Sequence, residues 1–408
     1  MQKNGRWSRR EFLSRGAAGA VTGAWLAGAV LSEHPEAAPI PSAREMLVRT
    51  LGTTGIKVPI VSMGVMNAEV PDLVMRAYEK GIRLLDTSAY YQRGRNEEMI
   101  GTVLKQLNAR KDVVIQTKVY LPHGRRSLPP EQAKAFYLKT AEESLKRLRT
   151  DYVDILLSHS VDDVGWLNNP GVLEALRLLK KQGKARFIGF STHQNMVECI
   201  RDATRSAAYD VILTMFNYTL WDDLDLTAAL QAAQAKGIGL VAMKTQCPQY
   251  GGHWDSVPAA KLPYYRGRIM HPAVLKWVLR HPFITTAIPG FTTFEQIEDD
   301  LSVAYDLEYT DEERKFLEAR KVTLAFGYCR QCAGCVAQCT RRVDVPTLMR
   351  VHMYSRCYGN LTHARQTLED IEVGRTLREC AACRQCSVQC RSGIDVARRL
   401  GELLEIFG

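Results

Sequence analysis

From residue 47 to about 305, short apolar runs alternate with longer stretches whose apolar residues recur three or four apart. The short runs begin at Val61, Arg83, Val113, Val153, Arg186, Val211, Gly239 and Thr285, and they read as buried strands. The longer stretches read as amphipathic helices over 72–80, 96–107, 130–149, 171–182, 195–206, 225–236, 272–281 and 293–304. The period is plainest in 132–149, where Ala133, Phe136, Leu138, Ala141, Leu145 and Leu148 are separated by lysines and glutamates. Eight strands alternating with eight helices, after a hairpin near 51–59, predict an α/β fold, a parallel (β/α)8 TIM barrel. A doubly wound sheet is the rival, but no Gly-x-Gly-x-x-Gly follows the first strand.

The two ends break this alternation. Residues 8–13 read Ser-Arg-Arg-Glu-Phe-Leu, and small or apolar residues plus one Thr follow from Gly16 to Leu31. A charged start before a short apolar stretch has the parts of an export signal, and paired Arg9 and Arg10 resemble the twin-arginine address. The alternative is an amphipathic first helix, for which this Gly- and Ala-rich stretch is a poor packing face. We read 1–31 as a signal segment handled by the twin-arginine (Tat) export machinery. Residues 32–46, with three prolines, read as a linker. The expected location is the periplasm or the outer face of the cytoplasmic membrane.

The other end carries the cysteines. Of 11 in the chain, nine fall between Cys329 and Cys390. Cys329, Cys332, Cys335 and Cys339 follow C-x2-C-x2-C-x3-C, and Cys380, Cys383, Cys386 and Cys390 repeat it. Two such runs form the bacterial two-cluster ferredoxin arrangement, in which the fourth cysteine of each run ligates the other cluster. The prediction is two [4Fe-4S] clusters in a small, mainly helical ferredoxin-like domain over 320–408, after a barrel at 47–310. Val343-Asp344-Val345-Pro346 and Gly393-Ile394-Asp395-Val396 follow the runs as matching helix entries. Structural zinc prefers two separated C-x2-C knuckles, and cysteines two residues apart pair awkwardly as disulfides. Cys199, Cys247 and Cys357 are read as free packing thiols.

Composition changes little except through charge. At 46% hydrophobic and 24% charged the chain is ordinary for a folded protein, which excludes disorder and fibrous classes. The net charge of +10 holds +2 from residues 1–43 and +5 from 321–408. A basic chain suggests nucleic acid, yet there is no basic run with interleaved aromatics and no zinc-finger spacing, so no nucleic-acid partner is expected.

Barrels place function where strands end at the C-terminal face. The second strand ends in Asp86 with Tyr90 and Tyr91 beyond it, the third in Lys118, and the fourth leads to His159. Singly each is an ordinary structural residue; at neighbouring strand ends they converge. Together they suit carbonyl reduction. A tyrosine donates the proton, an ammonium lowers its pKa, an aspartate holds the ammonium, and a histidine orients the carbonyl.

Residues 81–91 with Gly94, Glu97, Glu98 and Gly101 resemble the aldo-keto reductase family. So do Gln116-Thr117-Lys118, residues 151–159, Gly183-Lys184 through Gly189-Phe190-Ser191, and Ile288-Pro289-Gly290. By position, the resemblance implies a catalytic tetrad of Asp86, Tyr91, Lys118 and His159, with Tyr90 a bystander. It also implies NADP or NAD lying across the barrel mouth, near Ser191, Lys244, Gly290 and Gln296. Thr192, Leu213, Gly290, Phe291 and Gln296 depart from the family's usual residues, and the changes at Gly290, Phe291 and Gln296 remove charged partners that a 2′-phosphate would favour. An aldo-keto barrel with such a cysteine-rich tail resembles the ferredoxin-tailed branch of that family.

The expected function is an exported iron-sulfur oxidoreductase acting on a small carbonyl or alcohol. Electrons would pass through the clusters to or from an electron-carrier protein or membrane redox partner. The alternative is an electron-transfer module whose barrel no longer uses a nicotinamide.

Overall fold

The computed structural model describes residues 45–122, 126–246, 269–325, 329–383 and 385–408. The expected signal segment, all but the last two residues of the linker, and Cys247 lie outside them. The chain enters through an antiparallel hairpin of β1 (Val48–Thr50) and β2 (Lys57–Pro59). Its Leu51, Ile56 and Val58 pack with Leu84, Ile155, Leu157, Val211, Leu213 and Val241, closing the N-terminal end of the barrel. Gly52 sits at φ +51 against this end, where a Cβ would fall 2.3 Å from the Gly237 carbonyl oxygen. Only glycine fits that approach.

Eight parallel strands follow: β3 (Met63–Gly64), β4 (Leu84–Asp86), β5 (Val114–Val119), β6 (Val153–Ser158), β7 (Ala185–Thr192), β8 (Val211–Met215), β9 (Gly239–Met243) and β10 (Thr286–Ala287). Each pairs with the next in chain order. Bridges Val61–Ala287 and Gly64–Gly290 join the last strand to the first, so the sheet closes. The strand order and closure are those of the (β/α)8 barrel.

The surrounding helices are α1 (Pro71–Glu79), α2 (Arg95–Gln106), α3 (Pro130–Leu148), α4 (Pro170–Lys181), α5 (Met196–Ser206), α6 (Leu224–Ala235), α7 (His271–Leu279) and α8 (Phe294–Ser302). Every expected helix is present within two residues at each end. One detail of α3 differs. Tyr137 is fully buried, whereas Phe136 and Leu138 only flank the core. The reason is polar: the Tyr137 hydroxyl pairs with Ser158 Oγ at 2.6 Å, at the end of β6. Glu97, also fully buried, accepts from Thr117 Oγ1 at 2.5 Å and from Arg147 Nε at 2.8 Å, tying α2 and α3 to β5.

Beyond the barrel come α9 (Asp311–Ala325), α10 (Val345–His352), a π-helical turn (Met353–Cys357), α11 (Leu361–Glu369), α12 (Leu377–Ala381) and α13 (Val396–Phe407). The repeated entries behave alike: Asp344 caps α10 through Thr347 N, and Asp395 caps α13 through Arg398 N. Val343, Leu348, Val351, Ala364, Val396 and Leu403 form a separate small core against which the tail cysteines other than Cys332 and Cys383 pack. The tail is nonetheless not detached, since residues 45–408 form one compact unit. Asn360 Nδ2 reaches Asn67 Oδ1 at 3.0 Å, and Gln366 Nε2 reaches the Tyr90 carbonyl at 3.2 Å. Among the described residues, no helix is long and apolar enough to cross a membrane.

Glycine positions test this packing. A Cβ at Gly189 would meet the Val211 carbonyl oxygen at 2.0 Å, whereas one at Gly401 on α13 meets nothing within 4 Å. Gly189→Ala is expected to destabilise by about 1–3 kcal/mol and Gly401→Ala to stabilise by about 0.5–1 kcal/mol. Thermal denaturation of the two variants, with Tm falling in the first and rising in the second, checks both.

Candidate active site

Strand register gathers the four expected catalytic side chains. Asp86 ends β4, Lys118 lies one residue from the end of β5, and His159 follows β6 directly. Tyr91 begins a turn (Tyr91–Gly94) in which Gln92, Arg93 and Gly94 all have positive φ. That tight turn drops the phenol back over the barrel mouth.

Lys118 Nζ lies 2.7 Å from Asp86 Oδ2 and donates to the Thr87 carbonyl at 2.7 Å and to Tyr91 Oη at 3.2 Å. Gln116, two residues earlier and so on the same strand face, donates to Asp86 Oδ1 at 2.7 Å. His159 Nδ1 pairs with Ser88 Oγ at 3.0 Å, and its ring stands edge-on to Tyr91 with centroids 5.7 Å apart. Lys118 is 1% exposed and Asp86 2%. Burial raises the Asp86 pKa and lowers that of Lys118, each against the attraction of its partner.

Two protonation states follow. Burial, with Lys118 and the neighbouring imidazole of His363 adding to it, holds His159 well below the usual imidazole range, so it is neutral. Tyr91 departs from the sequence expectation. Instead of being lowered by the ammonium, its pKa is raised well above 10, because burial dominates and the Asp86 and Tyr354 groups add to it. The phenol keeps its proton.

The expected cofactor positions divide. Lys244, Gly290 and Gln296 line a cleft of about 280 Å³ together with Asp86 and Tyr91. Ser191 is not among its lining residues. It is buried, and its Oγ accepts from the Ser160 N–H at 2.8 Å. Lys244 Nζ stands 3.5 Å from Tyr354 Oη. Gln296 spends its amide oxygen on Thr292 N at 2.7 Å and on Thr293 N at 3.4 Å, the second bond belonging to the box that caps α8.

The tail supplies groups that sequence reasoning missed. Cys357 and Tyr358 roof the same cleft. His363 on α11 is 6% exposed and stands edge-on to Tyr91 at 5.7 Å. Burial pushes its pKa down to about 3. No motif marks these residues; only the docking of tail on barrel brings them in. Cys357 is therefore more than packing, although it is a free thiol pushed up to about 12 by burial. Cys199 matches its packing role, being fully buried.

All eight cysteines of the two runs are free thiols and fall into two sets of neighbours. Cys335 interacts with Cys329, Cys332 and Cys390, whereas Cys380 interacts with Cys339, Cys383 and Cys386. The fourth thiol of each run thus sits with the first three of the other. Burial, as the largest cause, raises Cys329 to about 11, and Cys335 and Cys380 to about 12. Among the described residues, no three His, Cys, Asp or Glu side chains converge as the ligands of a single metal ion.

A closed eight-strand barrel with a buried Asp–Lys–Tyr–His group at its C-terminal mouth defines an oxidoreductase class of site. Residues 51–246 match the model of the aldo/keto reductase family. L-Galactose dehydrogenase of Arabidopsis thaliana is 29% identical over 289 residues, 64% of this chain and 89% of that protein. L-Glyceraldehyde 3-phosphate reductase of Escherichia coli is 24% identical over 321 residues, 66% and 90% of the two chains. The holo form of an aldo-keto reductase from Bacillus halodurans superposes with TM-score 0.55 at 23% identity, over 70% of this chain and 99% of that one. An aldo-keto reductase from Klebsiella pneumoniae in complex with NADPH superposes with TM-score 0.51 at 22% identity, over 67% and 95%.

The buried ion pair gives a measurable consequence. Lys118→Met strands the Asp86 carboxylate and is expected to cost about 3–5 kcal/mol of stability. Adding Asp86→Leu should restore most of it, since both charges are then gone. Chemical denaturation of the single and double variants measures the difference.

Proposed function

We propose that the chain is an exported iron-sulfur oxidoreductase in which an aldo-keto reductase barrel acts on a small carbonyl or alcohol and exchanges electrons with two [4Fe-4S] clusters in its tail. The observation that carries the reading is the contact of Lys118 Nζ with both Asp86, at 2.7 Å, and Tyr91 Oη, at 3.2 Å, beside a cleft roofed by the cysteine-bearing tail. Tyr91 holds the proton that a developing alkoxide takes. Lys118 stabilises the phenolate left behind, and Asp86 keeps that ammonium in place. Neutral His159 orients the carbonyl oxygen. NADP or NAD, when bound, supplies or takes the hydride. Its candidate contacts are Lys244, Gly290 and Gln296 along the cleft, with Ser191 outside that lining, and the cation of Lys244 beside Tyr354 suits an anionic dinucleotide.

The thiol sets Cys329, Cys332, Cys335, Cys390 and Cys339, Cys380, Cys383, Cys386 fit two cubanes by their number, softness and crossed grouping. Such clusters, when bound, move single electrons between the barrel and an electron-carrier protein or membrane redox partner. Arg9 and Arg10 before the apolar stretch support export by the Tat machinery.

A second reading, an electron-transfer module without nicotinamide, draws support from the roofed cleft and from the engaged side chains of Ser191 and Gln296. Anaerobic purification separates the two: a bound or titratable nicotinamide supports the first, and none at all the second. Iron analysis should return about eight irons per chain, with low-temperature EPR signals after reduction. Tyr91→Phe is expected to lower carbonyl reduction by about 10²–10⁴-fold. Full activity in that variant removes the tetrad assignment.

A further inference from the structure

Arg350 on α10 takes no part in the chemistry above, yet it is only 5% exposed. Its guanidinium meets neutral groups alone: Thr347 Oγ1 at 3.0 Å, Gln331 Oε1 at 3.2 Å, and Gln194 Oε1 and His193 Nδ1 at 3.4 Å each. No carboxylate pairs with it among the described residues. Arginine does not deprotonate in proteins, so this buried charge needs an answering one.

Gln331 points to where the answer lies. Its amide oxygen accepts from Arg350, while its Nε2 donates to Cys329 Sγ at 3.0 Å and to the Pro346 carbonyl at 3.1 Å. It is 3% exposed and held at φ +56, between Cys329 and Cys332. The amide therefore relays the guanidinium's polarisation onto a cysteine sulfur.

We propose that Arg350, acting through Gln331, is the buried counter-charge of the cluster held by Cys329, Cys332, Cys335 and Cys390, and sets its reduction potential above that of the other cluster. The inference rests on the cluster reading given under Proposed function. Reduction adds one negative charge to a cluster. A fixed cation nearby and a hydrogen bond to a ligand sulfur both favour the reduced form.

The two thiol sets differ in this respect. Arg399 acts on Cys329 to favour negative charge at its sulfur, whereas Glu379 acts on Cys380 in the opposite sense. The first set is also the one flanked by side chains that reach the barrel, through Arg330 to Asp222 at 2.8 Å and through Arg350 to Gln194. A single electron entering the tail thus settles on the cluster nearest these barrel contacts. Arg350 and Gln331 are positioning residues; neither touches the tetrad.

Redox titration of the anaerobically purified holoprotein with dithionite, followed by EPR, tests this. The wild type should reduce in two resolved steps. Arg350→Gln should shift the higher step by at least tenfold in its reduced-to-oxidised ratio at fixed potential, 59 mV lower for a one-electron couple, and leave the lower step in place. Arg350→Lys should retain most of the wild-type value, and Gln331→Leu should lower the same step. If Arg350→Gln loses iron, Gln331→Leu decides alone. Unmoved steps in an iron-replete variant overturn the proposal and leave the cluster reading standing. A wild-type protein without iron overturns both.

Discussion

The ion pair of Asp86 and Lys118 is the constraint around which the barrel mouth is built. Two charges that are 1–2% exposed survive only with every remaining polar valence met. Gln116 Nε2 donates to the second oxygen of Asp86, and the Thr87 carbonyl and Tyr91 hydroxyl accept from the remaining protons of Lys118. The pair therefore dictates Gln at one strand position, a backbone carbonyl at the next strand end, and a tyrosine folded back by a tight turn. The same low-dielectric surroundings hold His159 neutral and Tyr91 protonated. Structure and chemistry here are one requirement, because the group that can donate a proton is also the one that completes the ammonium's shell.

The tail extends this requirement from below the mouth to above it. An open barrel would expose Tyr91 to water; here the phenol is 8% exposed. His363, Tyr354, Cys357 and Tyr358 supply the cover, and α11 is pinned to the rim by Asn360 and Gln366. A cover made of the packed, cysteine-bearing tail differs in consequence from a mobile loop. It places cysteine-bearing chain against the reacting groups and narrows what reaches them to the cleft beside Lys244.

The barrel was legible because period and alternation are local. Each strand run and helix period is set within a dozen residues, so all eight pairs appear in the sequence almost at their observed bounds. The tetrad was legible for a related reason, since barrel topology puts strand ends at one rim whatever the loops do. Protonation was less so. The ammonium beside Tyr91 suggests a lowered pKa, but burial decides the sign, and burial depends on the tail. Likewise nothing in the residue pattern marks His363 and Arg350 as buried; the docking of α10 and α11 does that. Ser191 and Gln296 were named by their positions along the chain, whereas their hydrogen bonds to Ser160 and Thr292 depend on loop geometry that no residue pattern encodes.

Net charge acquires a different meaning once the tail is seen in place. Residues 321–408 carry a formal +5, which in isolation suggests an acidic partner. On the proposed reading, two clusters with four thiolates each bring about −4, leaving a tail near +1. The arginines are also not all on the surface. Arg350 is buried between thiols and barrel, and Arg398 lies against Glu402, which also bonds His352. A helix with surplus surface cations would attract polyanions over a Debye length of about 8 Å. On the same proposed reading, a cation held inside as Arg350 is would instead make the folded tail dependent on the anionic cluster beside it. A chain with that dependence would have a physical reason to be folded and loaded before it is moved, the order that the proposed twin-arginine address would serve.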